Sequence, residues 1–231
     1  MMKKDNGFSL IEVALALIII SLLMGSLLTP ISARMEQKNI KRTEETLEQI
    51  KQALLGFALI NGRLPCAAPD TDTDSNGDPI FEQDKGEEHS EWCKKEGYLP
   101  WKDLGVGRFD AWGNLFRYRA EDEYTPQSPN LKQIFGTDSA GSGLRIRSRQ
   151  IDPSTTPPNN YFYFTTKTDD SRVAAIIFSA GKNRVADDDN NDLDKTYVHD
   201  VYVKNDFDDI LTWLSRNALA YRLIRARQWE P

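Results

Sequence analysis

The chain has 231 residues, 39% hydrophobic and 28% charged, the balance of a folded protein rather than of a low-complexity or collagen-like one. Lys and Arg number 29 against 35 Asp and Glu, giving a formal charge of −6 and an isoelectric point of about 5.1. That balance excludes a general nucleic-acid binder, which carries a basic excess, so no nucleic acid is expected as a partner.

Residues 1–7, MMKKDNG, carry the charged Lys3, Lys4 and Asp5, and residues 8–29, FSLIEVALALIIISLLMGSLLT, contain one ionisable group, Glu12. A helix crosses a hydrocarbon core of roughly 30 Å with about 20 apolar residues, so 8–29 predicts a transmembrane helix. A secretory signal has a shorter apolar core, about 7–15 residues, with a small-residue cleavage site after it. A plain anchor fits the length but bears the cost of Glu12, roughly 2.5–3.5 kcal/mol at the bilayer centre and less near a helix start. The remaining readings give Glu12 a function or let it snorkel to the membrane surface.

Pro30 predicts an end or a bend, because it lacks an N–H and crowds the preceding turn. Helical spacing then resumes over 30–62. Ile40, Leu47 and Leu54 recur every seven residues, Thr43, Ile50 and Phe57 form a second row, and charged residues fill the other faces. Asn61 and Gly62 supply a stop. Two heptads are too few for a free coiled coil.

Residues 63–110 are rich in Pro, Gly and Asp and predict an ordered loop with a short helical turn around Leu99–Leu104. Strands are expected at Leu115–Arg119, Leu144–Arg149, Tyr161–Thr166, Val173–Ser179 and Tyr197–Val203, with the aromatic NYFYF at 160–164 in the core. Consecutive strands without long helices between them predict an antiparallel sheet. A C-terminal helix is expected from Asp206 as N-cap. Asp208 and Asp209 would lie in its first turn, with Phe207, Ile210, Leu211, Leu214 and Ala218 on one face. The fold class is therefore α+β: a long N-terminal helix, half transmembrane, packed on an antiparallel β-sheet globular domain over 63–231.

Two cysteines, Cys66 and Cys93, could close a disulfide loop outside the cytoplasm, contributing roughly 3.5 kcal/mol in the loop-entropy picture. Free thiols, or a zinc site with His89 and His199, are the alternatives. Both histidines otherwise read as surface residues. In PDTDTDSNGDPIFEQD (69–84), Asp72, Asp74 and Asn76 alternate before Gly77, the opening of a calcium loop, but Gln83 stands where the chelating Glu belongs. A second acidic run, SAGKNRVADDDNNDLD (179–194), would repel itself unless a cation or a solvated surface relieved it. Calcium is the cofactor these loops suggest. Arg145, Arg147 and Arg149 alternate along one strand face, read as a solvated face, with an anion or DNA contact as the other possibility. No nucleophile–base pair or phosphate loop stands out, so an enzyme is not expected.

The stretch GFSLIEV (7–13) resembles the processing site of type IV pilins and of the pilin-like subunits of type II secretion systems: Gly7 before the cut, Phe8 after it, Glu12 four residues on. The resemblance implies that prepilin peptidase removes a leader of residues 1–7, that Phe8 is N-methylated, and that the subunit polymerises through its N-terminal helix. Glu12 would then pair with the ammonium of a neighbour's Phe8. The motif DAWGNLFRYR (110–119) is similar to a segment leading into the first strand of such subunits. Bottom-up, Gly113 permits a tight turn there and Trp112 supplies a large buried anchor. The 179–194 run resembles the calcium loop of major pseudopilins, which carries over to Asp187, Asp189, Asn191 and Asp192, although the family's glycine spacing is not reproduced. No cysteine follows residue 93, so a C-terminal disulfide of the pilin kind is absent. The implied partners are other pilin-like subunits, the peptidase and the inner membrane. The implied localisation is an inner-membrane precursor with a periplasmic domain, then a pilus or a periplasmic pseudopilus. The long 63–109 loop suggests a minor or specialised subunit. The alternative is a membrane-tethered periplasmic binding module that never polymerises, and beyond it an exported enzyme or adhesin with its activity in the loops.

Overall fold

The computed structural model describes residues 9–70, 86–93, 95–125, 143–151, 161–165, 172–192 and 194–226, with the side chains of 23–31 and of Ile151 outside the description. The chain divides into two compact units, residues 1–41 and 42–231. Helix α1 (Leu10–Asn61) belongs to both and runs through Pro30 without ending there. Proline removes one rung of the ladder, and the Leu, Ile and Ala residues around it favour helix strongly enough to continue. Among the described residues no helix is long and apolar enough to cross a membrane. The apolar run of 8–29 is itself described with its side chains only as far as Leu22.

In the second unit, α1 buries Thr43, Leu47, Ile50, Leu54, Leu55 and Ala58. Thr43, Leu47, Ile50 and Leu54 come from the two expected rows; Phe57 is only half-buried and lies under the Arg63 guanidinium, 5.4 Å from its ring centre. Gly62, at φ +67, closes the helix by donating its N–H to the Ala58 carbonyl at 2.9 Å. The short helix α2 (Trp101–Leu104) falls inside the expected range.

One sheet is antiparallel and has the order β1 (Gly97–Tyr98), β2 (Arg117–Ala120), β5 (Val173–Ser179), β7 (Ile210–Ser215). Strand β5 matches its expected bounds and is buried at every position. Ala175 and Ile177 join the core formed with α1, while Ile176 and Phe178 join a second core with Leu144, Ile146 and Tyr197. Burial on both faces explains why VAAIIFS is continuously apolar. Strand β2 starts two residues later than expected, with Leu115 only bridging Phe109.

The second sheet, in the order β4 (Tyr161–Tyr163), β3 (Arg145–Ile151), β6 (Thr196–Val198), corrects the purely antiparallel expectation, because β3 and β6 run parallel. Strand β6 ends early because the Asn190 side chain takes its edge: Val198 N donates to Asn190 Oδ1 at 2.8 Å and Asn190 Nδ2 donates to Val198 O at 3.2 Å. Strand β4 is also shorter than expected, and Phe162, Tyr163 and Phe164 are exposed rather than core. As an edge strand it is covered by arginines, with Arg147 over the Tyr161 ring at 3.7 Å and Arg145 over Tyr163 at 5.4 Å.

The largest correction is at the C-terminal end. Residues 210–215 form β7, paired with β5 from Ser179↔Ile210 to Val173↔Ser215, and the helix α3 (Arg216–Arg225) begins only afterwards. Ser215, not Asp206, is the N-cap: its Oγ accepts from Ala218 N at 3.2 Å. Ile210, Thr212 and Trp213 favour a strand, and the edge of β5 offers them a full ladder, so tertiary pairing overrides the helical spacing.

Candidate functional site

At the N-terminal end, Ser9 N donates to Glu12 Oε2 at 3.0 Å. Ser-Leu-Ile-Glu at 9–12 has the spacing of a capping box, in which the acid three residues on satisfies an orphan N–H and complements the helix dipole. Glu12 therefore has a local job at the start of α1, which sequence reading did not give it when it offered pairing with a neighbour's amine or snorkelling to the membrane surface. The following turns expose Leu10, Ile11, Val13, Leu15, Leu17, Ile18 and Leu22. An apolar surface of this kind marks a contact with another apolar body. Gly7 and Phe8 lie outside the described residues.

In the second unit the 110–114 motif forms a hub. The buried Asp110 accepts from Trp112 N and Asn114 N through Oδ1, both at 2.8 Å. Its Oδ2 accepts from Asn114 Nδ2 at 2.9 Å and Ser179 Oγ at 2.6 Å. Asn114 Nδ2 also donates to Gly181 O at 2.6 Å, and Ala111 N donates to Thr43 Oγ1 at 3.2 Å. Gly113 takes the expected left-handed turn at φ +86, whereas Trp112 is half-buried rather than a buried anchor. The hub joins α1, β2 and the end of β5, and so fixes where the acidic loop begins.

That loop meets the arginines of β3. Arg147, only 6% exposed, donates its Nε–H to Asp189 Oδ2 at 2.7 Å. Arg149 pairs with Asp188 and Asp206, each at 2.8 Å. The expected solvated face is thus an ion-pair seam, and guanidinium groups do there what a cation was expected to do. Of the residues expected to ligate in this loop, Asp189 is turned to Arg147, Asn191 is exposed, and Asp192 Oδ1 accepts from Asp194 N at 3.0 Å. Asp72, Asp74 and Asn76 lie outside the described residues.

Asp187 instead meets two residues that sequence reading placed in a helix. Carboxylate oxygens, one each from Asp187, Asp208 and Asp209, lie within 4.8 Å of one another. Asp187 N donates to Asp209 Oδ2 at 2.8 Å, Asn190 Nδ2 donates to the same oxygen at 2.9 Å, and Asp208 N donates to Asp187 Oδ2 at 2.9 Å. Asn183 N donates to Asp208 Oδ2 at 2.9 Å. Burial, with the Asp187 and Asp208 charges adding to it, pushes the Asp209 carboxyl up to about 7, and burial raises Asp208 as well. Gly181, at φ +59, makes this approach possible: a Cβ there would stand 2.3 Å from Asp208 O. Reading ILTWLS as a strand would have released the two aspartates from the helix and exposed the cluster.

Cys66 and Cys93 form a disulfide, with Cα atoms 4.2 Å apart, which removes the zinc alternative. Beside it the Glu88 carboxylate accepts both terminal nitrogens of Arg63, at 2.7 and 2.6 Å, and Cys66 N at 3.0 Å. His199 is half-buried rather than on the surface, packed edge-on against Phe164 and Trp213 with ring centres 5.7 and 5.5 Å away. Burial lowers its pKa. His89, also half-buried, accepts from Glu91 N at Nδ1, at 3.4 Å. A cleft of about 430 Å³ is lined by Glu96, Tyr98, Asn114 and Arg117. Its buried carboxylate, Glu96, is held by Arg117 Nε at 2.9 Å and by Tyr197 Oη at 2.5 Å.

Against this geometry, residues 2–28 match the family model described as the prokaryotic N-terminal methylation motif. The motif is the hallmark of type IV pilins and pseudopilins. The methylation motif covers Gly7, Phe8 and Glu12, and it supports a pilin- or pseudopilin-type subunit whose processing involves prepilin peptidase and methylation. The motif points to a structural role, and it is one carried by membrane-anchored precursors of pili and pseudopili. The match ends at residue 28, within α1 and before the second unit begins. No curated protein and no solved structure matches the chain.

Proposed function

We propose that this chain is a structural subunit of a type IV pilus or a type II secretion pseudopilus. It is cut after Gly7, N-methylated at Phe8, held in the inner membrane by the 8–29 helix, and then polymerised through that helix with other pilin-like subunits. The observation that carries this reading is the methylation motif over residues 2–28, at the start of a helix that exposes one large apolar side chain after another. The globular unit then forms the outer surface, periplasmic or extracellular. Its disulfide suits an oxidising compartment, and the long segment between α1 and β2 supports a minor or specialised subunit.

Glu12 serves two partners in turn. In the single chain it caps Ser9, and in the filament it receives a neighbour's Phe8 ammonium among packed apolar helices. A charge left alone in such surroundings costs roughly 3–5 kcal/mol, so the pair sets the register between subunits. Glu12→Val therefore leaves cleavage intact and abolishes incorporation into filaments, read by immunoblotting of sheared or co-purified filaments against the envelope fraction. Normal incorporation of the valine variant would sink the charge-pair account.

A further inference from the structure

We propose that the groove between α1 and α3, at the end of β7, docks an acidic segment of a partner protein, which lodges an apolar side chain there beside two arginines. The argument rests on the second unit alone and is independent of the filament reading.

The groove is built by three elements. Helix α1 contributes Lys51 and Leu55, β7 contributes Trp213, and α3 contributes Ala218, Tyr221 and Arg222, around a cavity of about 350 Å³. Strand β7 is the last in the order of the first sheet, so the groove opens at an end of that sheet. Leu219 and Leu223 hold α3 down by their burial in the core. The same helix turns Tyr221, Arg222, Ile224 and Arg225 outward, with Tyr221 57% exposed. Tryptophan, tyrosine and arginine gathered around a hollow are the residue types that anchor contacts between proteins.

The second observation is charge. The chain carries −6 overall, yet residues 216–227 hold four arginines and no Asp or Glu. In the rest of the unit, Arg63 holds Glu88, Arg117 holds Glu96 and Asp70, Arg147 holds Asp189, and Arg149 holds Asp188 and Asp206. Arg222 and Arg225 hold no carboxylate among the described residues. Their hydrogen bonds go to neutral oxygens, Gln52 Oε1 and Tyr221 Oη, both at 3.2 Å. The planar fork of a guanidinium matches a carboxylate. Two such forks exposed beside an apolar hollow therefore select a segment that presents acids next to an apolar side chain.

Other anionic bodies fit this face less well. A helix that lies on a membrane puts its apolar stripe into the lipid, and α3 already buries Leu219 and Leu223 in the core. A nucleic-acid backbone needs a longer basic track, and Lys51 is held by Glu48 at 2.5 Å.

The test carries Tyr221→p-benzoylphenylalanine, a photo-crosslinking residue, in the full chain within its native cell envelope, and maps the cross-linked peptide by mass spectrometry. The expected product is a protein segment of net negative charge with at least one large apolar side chain. Arg222→Glu together with Arg225→Glu lowers its yield about tenfold or more. Arg108→Glu, outside the lining of the groove, leaves the yield unchanged. Arg222→Gln with Arg225→Gln stands in if the double reversal does not fold, with a loss of about threefold. A cross-link confined to lipid, a segment without net negative charge, a yield that survives the double change, or no cross-link at all overturns the proposal. An equal loss with Arg108→Glu overturns it too, because the response would then follow net charge and not this groove.

Discussion

At Asp110 a single carboxylate accepts from Trp112 N, Asn114 N, Asn114 Nδ2 and Ser179 Oγ, tying a turn to the end of β5. Hydrogen bonds to charged groups contribute about 1.5–3 kcal/mol each, and the buried donors left behind cost a further penalty. Asp110→Ala should therefore lower the unfolding free energy by about 3 kcal/mol or more in urea titrations; a loss under about 0.5 kcal/mol would contradict the hub. His199 gives a pH prediction. Burial between Phe164 and Trp213 holds its pKa below the usual 6.5, while Asp200, Glu44 and the Leu211 carbonyl pull weakly the other way. The unfolded chain thus binds the proton first as pH falls. The stability associated with neutral His199 is full above about 6.5 and is lost as pH drops from there through the lower folded pKa. His199→Phe should flatten the fall of Tm below pH 6.5, and an unchanged slope would rule this cause out. Among residues, the one whose requirement is local was legible: Gly113 serves its own turn. Asp208 and Asp209 were not, because what defines them is Asp187, about twenty positions earlier in the chain.

The elements show the same division. VAAIIFS was legible to its ends because a strand buried on both faces is a short apolar run with no period to misread. The segment 207–218 was misread because Phe207, Ile210, Leu211, Leu214 and Ala218 do fall at helical spacing. Only the edge of β5, far away in sequence, turns 210–215 into a strand. The aromatic NYFYF was placed in the core by its hydrophobicity alone, without the arginines of β3 that cover Tyr161 and Tyr163. The corrected boundary is measurable. Ser215→Ala should cost about 1 kcal/mol as the loss of an N-cap. Asp206→Ala should cost less than that, because its bond is an exposed ion pair to Arg149 and not to a helix start. A larger loss from Asp206→Ala than from Ser215→Ala would restore the sequence-based boundary.

At the scale of the whole molecule, the chain is two materials joined by one helix. Residues 1–41 bring the methylation motif and an exposed apolar helix, and residues 42–231 bring a disulfide-linked α+β unit with two cores. The first was readable because its chemistry is written in consecutive residues. The second yielded its class and most strand positions, but not its sheet order, which depends on pairings such as β3 with β6. The filament reading depends on one event, cleavage after Gly7. Its most direct test is an intact mass and an N-terminal fragment spectrum of the native protein, taken from sheared surface filaments and from the cell envelope. The account predicts a chain that begins at N-methylated Phe8, in the sheared fraction for a pilus subunit or confined to the envelope for a pseudopilus. A chain beginning at Met1 in both fractions would contradict it and leave a tethered, non-polymerising domain.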